Sequence, residues 1–134
     1  VHQAAHPRLV PLVEAGVLDG PEVRRALHEA LGPMATAGAD TLVLGCTHYP
    51  FLRGAVEEAF PGRFTMLDSG GAIAERTRRV LEERGELATR EGVGRVTLVS
   101  SGDPATFGGV ARLSGIEADE LLRAPDLAPE AQKV

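Results

Sequence analysis

Leu42 to Leu52 reads LVLGCTHYPFL, an aliphatic tetrapeptide that passes abruptly into Gly, Cys, Thr, His, Tyr and Pro. Thr41 to Leu44 is β-branched and apolar without polar alternation, which predicts a strand buried on both faces. Gly45 ends the strand, and Pro50 suits the first turn of a following helix, where its missing N–H has no partner to lose. A strand that hands a short polar loop to a helix is the repeating unit of a parallel α/β sheet. Cys46, the single cysteine of the chain, lies in that loop.

Working outward, the same rhythm recurs. Pro7 to Ala15 reads as loop and brief helix. Asp19 can cap a helix with Pro21 and Glu22 in its first turn and an apolar stripe of Val23, Leu27, Ala30, Leu31 and Met34 facing a sheet. Leu52, Val56 and Phe60 point inward on the helix after Pro50. Phe64 to Leu67 predicts a strand, Ala72 to Arg84 a helix with Ile73, Ala74, Thr77, Val80 and Leu81 on one side, and Val96 to Val99 another strand. A helix to about Leu113 follows, with Phe107 and Val110 inside. From Glu117 the chain is acidic, and past Arg123 it reads as a frayed tail. The fold class is therefore α/β with largely parallel strands. Three strands are few for a sheet that needs cover on both faces, and the opening lacks an initiating Met, so the reading points to an excerpt of a longer protein.

Composition narrows the function. With 134 residues, 14 basic and 19 acidic, the net charge is -5, which offers no basic footprint for nucleic acid. No apolar run reaches the ~20 residues needed to span a bilayer. One cysteine cannot form an internal disulfide, so a reducing cytoplasm is expected. Neither a GxGxxG turn, a P-loop lysine nor a G-x-S-x-G elbow follows any predicted strand. Scattered histidines and one cysteine make no metal site.

Loops at the carboxyl ends of parallel strands are where such folds bind ligands. Three are polar and glycine-rich: Gly45–Tyr49, Asp68–Gly71 and Ser100–Asp103. A lone cysteine after a strand is more often packing than chemistry, and a lone histidine is as often structural as catalytic. Asp68–Gly71 and Ser100–Ser101 read equally well as helix starts. At Cys46 the chemical reading has added support, because unpaired N–H groups at a helix start favour a thiolate and, with Thr47, an anionic ligand.

Gly45-Cys46-Thr47-His48-Tyr49-Pro50-Phe51-Leu52, preceded by Thr41-Leu42-Val43-Leu44, resembles the second active-site cysteine motif of bacterial glutamate racemases. His6 to Glu14, Asp68-Ser69 with Ala72-Ile73-Ala74, and Val96 to Phe107 are similar to the flanking parts of that family. Aspartate racemases usually carry Gly-Cys-Thr-Glu here, so His48 favours glutamate. The resemblance implies cofactor-independent interconversion of L- and D-glutamate by two cysteines acting as acid and base, supplying D-glutamate for peptidoglycan. Cys46 and His48 would be catalytic, and Thr47 and Glu14 would bind substrate, with no cofactor and no metal. The family's other cysteine lies in an N-terminal half that does not precede Val1, so this chain alone is expected to be incomplete and inactive.

The implied architecture is a parallel-sheet α/β sandwich made of parts of two similar domains. Residues 1–62 would finish the second domain and 63–134 would return to the first. A homodimer is one implied assembly. A racemase of aspartate or another acidic amino acid, and a non-catalytic amino-acid-binding module, are the alternatives.

Overall fold

The computed structural model describes residues 1–89, 92 and 94–124. Contacts divide the chain into two compact units, Val1–Glu91 and Gly92–Val134.

The first unit contains α1 (Leu9–Glu14), α2 (Pro21–Thr36), β1 (Thr41–Val43), a 3-10 turn (Tyr49–Leu52), α3 (Arg53–Ala59), β2 (Thr65–Leu67) and α4 (Gly70–Glu83). Pro21 opens α2 as expected, but the cap is Gly20 rather than Asp19. Its φ of 98° is a conformation that glycine alone adopts without strain. The core is helical: Leu9, Leu12 and Val13 of α1, Val23, Ala26, Leu27 and Leu31 of α2, and Leu52, Ala55 and Val56 are buried. Ala30 and Met34, expected in the α2 stripe, are only half-buried. Phe60 is half-buried too and meets the Phe64 ring edge-on at 5.6 Å.

β1 and β2 pair in parallel, Thr41 opposite Thr65 and Val43 opposite Leu67. Leu44 N donates to Leu67 O (2.8 Å) and Thr65 N to Asp40 O (2.7 Å), extending the ladder at both ends. The expectation that Thr41–Leu44 is buried on both faces is corrected here: Val43 is 68% exposed, and of the four residues only Leu44 is buried. The reason is that α1, α2 and α3 spend their apolar stripes chiefly on one another. The predicted stripe of α4 is also uncovered, with Ile73 60% exposed and no buried residue in the helix. Local pairs support α4 instead, Arg78 reaching Glu75 at 3.1 Å and Glu82 at 2.5 Å along the helix face.

The second unit holds β3 (Thr97–Ser100), α5 (Pro104–Leu113) and β4 (Glu120–Arg123), with β3 and β4 parallel from Thr97 opposite Glu120 to Ser100 opposite Arg123. β4 lies in the stretch after Glu117 that was read only as acidic. It forms because a partner supplies the hydrogen bonds: Asp119 N donates to Val96 O (2.9 Å) and Ala124 N to Ser100 O (2.8 Å). Residues 125–134, most of the tail expected past Arg123, lie outside the described residues. Phe107 is 41% exposed and Val110 half-buried, whereas Gly108 and Ala111 face inward. A methyl at Gly108 would stand 3.0 Å from Leu121 Cδ1, so α5 approaches β4 through its smallest residues.

Both strand pairs are parallel and alternate with helices, as the α/β reading requires. β2 is hydrogen-bonded to β1 and so falls in the first unit.

Asp103 caps α5, accepting from Ala105 N (3.3 Å), Thr106 N (2.9 Å) and Thr106 Oγ1 (2.7 Å). The Thr106 hydroxyl, then the Thr106 and Ala105 amides, hold its carboxyl below the ordinary 3.8. A depressed folded value means that the cap's contribution is present above that ordinary value and is lost as pH falls through the lowered one. NMR titration of the Thr106 amide between roughly pH 5 and pH 1 should therefore show a midpoint below the ordinary aspartate value, and Asp103→Ala should abolish the step. A midpoint at or above 3.8 would contradict the cap.

Candidate active site

The loop after β1 is shaped by its own backbone. Gly45 N turns back to Val43 O (3.0 Å), Tyr49 N donates to Cys46 O (3.2 Å), and Phe51 N donates to His48 O (3.2 Å). Cys46 therefore sits in the turn that leads into the 3-10 segment, three residues before it begins. His48 caps that segment with its backbone while its side chain makes no capping hydrogen bond. Its imidazole is directed to other partners.

Those partners are the residues singled out in the sequence. His48 Nδ1 lies 3.8 Å from Cys46 Sγ and 3.4 Å from Thr47 Oγ1. On the other side of the ring, Nε2 lies 3.2 Å from Glu14 Oε1. The order is carboxylate, imidazole, thiol. When Nδ1 carries no proton it can accept from the thiol or the Thr47 hydroxyl, and when it is protonated it can donate to either, with Nε2 turned to the Glu14 carboxylate. Thr47 Oγ1 addresses the same ring nitrogen, so hydroxyl and thiol share one partner.

Glu14 ends α1, where a negative charge opposes the helix dipole. Local helix chemistry does not ask for it there, whereas His48 does. Cys46 and His48 are half-buried and Glu14 is exposed, so the array is open to solvent on its carboxylate side. The resemblance implied that Glu14 binds substrate; in the structure its carboxylate lies beside the His48 imidazole.

Cys46 also borders a cavity of about 780 Å³ between α2 and β1, with Leu27, Leu31, Leu42 and Tyr49 among its walls. Thr47, His48 and Glu14 do not line it, so cavity and array meet at the cysteine. Among the described residues no three His, Cys, Asp or Glu side chains group as metal ligands, and no helix is long and apolar enough to cross a membrane.

At this end of the sheet Arg53 was not foreseen, while Asp68 was read as part of a polar loop or helix start. Arg53 Nη2 donates to Asp68 Oδ2 (2.6 Å) and Nη1 to Met66 O (3.3 Å), while Gly70 N donates to Asp68 Oδ1 (2.9 Å). The available signal was the parallel pairing itself, which sets the loops after β1 and β2 side by side. The remaining polar loop, Ser100–Asp103, serves as the α5 cap, with Gly102 N donating to Ser100 Oγ (3.1 Å).

No family model matches the chain. Individual proteins do. It is 50% identical over 105 residues to a glutamate racemase of Deinococcus radiodurans, covering 78% of this chain and 36% of the relative. With a glutamate racemase of Herpetosiphon aurantiacus it shares 41% over 113 residues, 84% of this chain and 44% of that protein. The chain thus spans less than half the length of these curated relatives. The crystal structure of glutamate racemase from Thermus thermophilus in complex with β-chloro-D-alanine superposes with a TM-score of 0.74 at 37% identity, over 92% of this chain and 47% of that one. The enzyme from Francisella tularensis in complex with D-glutamate matches in fold, with a TM-score of 0.73 at 20% identity over 87% of this chain and 44% of that one. Sequence and fold together make the chain a relative of the glutamate racemases across the part of them that it spans.

Proposed function

We propose that these residues work within a complete glutamate racemase, in which Cys46 is the acid/base on one face of the substrate. The observation that carries the proposal is the Glu14–His48–Cys46 array in a chain 50% identical to a named glutamate racemase. The α-proton of glutamate is weakly acidic, and one base cannot serve both faces of the α-carbon. A Cys46 thiolate takes the proton from L-glutamate, its electron pair forming the S–H bond while the C–H pair stays on carbon, delocalised into the carboxylate. A second acid returns a proton to the opposite face. Cys46 is the single cysteine here, so a second thiol comes from outside this chain. In the reverse direction Cys46 is the donor.

His48 assists by holding or releasing a proton at Nδ1, and Glu14, beside the ring, contributes to substrate binding. Thr47 and the loop amides bind the substrate. No cofactor takes part, and the D-glutamate formed supplies peptidoglycan synthesis in the cytoplasm. In the complete protein residues 1–62 finish one α/β domain and residues 63–134 return to complete the other, and the enzyme can act as a homodimer.

The test is incubation of the complete protein with L-glutamate in deuterated water. Loss of optical rotation together with loss of the α-proton signal is expected. A protein that does neither is not a glutamate racemase, and activity on aspartate alone would favour the neighbouring specificity. The 134-residue chain by itself should not racemise glutamate; if it does, a two-thiol mechanism with an external partner is wrong.

A further inference from the structure

The loop that carries Cys46 and His48 is held to β2 at both ends. Leu44, where it leaves β1, donates its N–H to Leu67 O (2.8 Å). Arg53, where it enters α3, reaches back to Met66 O (3.3 Å) and to the Asp68 carboxylate (2.6 Å). Asp68 is itself fixed, because its other oxygen accepts from Gly70 N at the start of α4. Each carboxylate oxygen has a separate task, one on the guanidinium and one on a main-chain amide. Between these anchors the loop is folded on itself, Tyr49 N to Cys46 O and Phe51 N to His48 O. A shift of the 3-10 turn along β2 would move His48 relative to Cys46, with only a 3.8 Å contact joining them.

We propose that Arg53 and Asp68 are positioning residues for the Cys46–His48 pair, acting through the geometry of the loop rather than by touching substrate. The inference rests on the racemase reading for its kinetic consequence, but not for its structural one. Arg suits the task because its planar fork can serve a carbonyl and a carboxylate at once, which a lysine ammonium does with less directional control. The Arg53 charge favours the ionised form of Asp68, and its hydrogen bond is the main reason that this carboxyl lies below the ordinary 3.8.

The experiment uses the complete protein with Arg53→Met, Asp68→Asn and Arg53→Lys. Two readouts are needed: steady-state kinetics with L-glutamate, and the pH profile of Cys46 alkylation by iodoacetamide, followed on the Cys46 peptide by mass spectrometry. Arg53→Met and Asp68→Asn should each lower kcat by about tenfold to a hundredfold with a smaller change in KM, since a misplacement near 1 Å has effects of that order. Both should displace the alkylation profile in the same sense, and Arg53→Lys should recover part of each effect. An alkylation profile unchanged in the two disruptive variants, whatever their melting temperatures, overturns the inference. If Arg53→Met does not fold, the near-isosteric Asp68→Asn decides alone. A wild-type protein that shows no solvent exchange refutes the racemase reading, yet the alkylation comparison still stands or falls separately.

Discussion

Replacing Cys46 by serine in the complete protein is expected to lower kcat for glutamate racemisation by roughly 10² to 10⁴-fold, with KM nearly unchanged. The substitution keeps the shape of the side chain and replaces a thiol by an alcohol, a far weaker acid, so the proton-accepting anion is all but lost at neutral pH. His48 stays in place because its ring is held from the other side by Glu14 at 3.2 Å. Steady-state rates in both directions, with D-glutamate affinity measured by calorimetry, check the split between chemistry and binding. A kcat within about threefold of wild type would remove Cys46 from the chemistry. Equal losses in affinity and turnover would recast it as a packing residue.

The second large effect is structural. Leu52→Ala should destabilise the fold by about 2–5 kcal/mol, the range for a buried leucine truncated to alanine. Leu52 is 1% exposed, among the most buried side chains of the chain. It closes the 3-10 turn, which packs against both α1 and α3. The resulting cavity would therefore lie beneath the loop that carries Cys46 and His48 and beside the helix that carries Glu14. Urea denaturation should show a lower midpoint, and activity below that midpoint should fall as well. A change under about 1 kcal/mol would mean that the site relaxes to fill the space.

Much of this architecture could be read from local signals. Pro21 and Pro104 mark helix starts, Gly45 marks the end of a strand, and three-to-four spacing on α2 identified Val23, Leu27 and Leu31, all buried. The reading failed where a partner decides the outcome. Glu120–Arg123 has no strand signature of its own, and its identity as β4 comes from the β3 ladder. Val43 and Ile73 have the composition of covered residues, but composition cannot say whether a covering layer is present. Phe107 lost the inward position to Gly108 because the helix approaches Leu121 too closely for a ring. At the candidate site Cys46 and His48 are neighbours in sequence and were legible together. The contact between Glu14 and His48 crosses α2, and the clamp between Arg53 and Asp68 crosses β2, so neither could be seen without the fold.

The Glu14–His48 contact bears on how the site comes into being during folding. An open ion pair of this kind contributes at most about 1 kcal/mol, too little to offset the entropy of closing the intervening chain. Closure is achieved by burial of Leu9, Leu12 and Val13 as α1 docks on α2 and the 3-10 turn. The carboxylate is brought to the imidazole by an apolar helix, as a by-product of hydrophobic packing. A chain in which α1 has undocked would keep its cysteine beside its histidine and lose the carboxylate beside the ring.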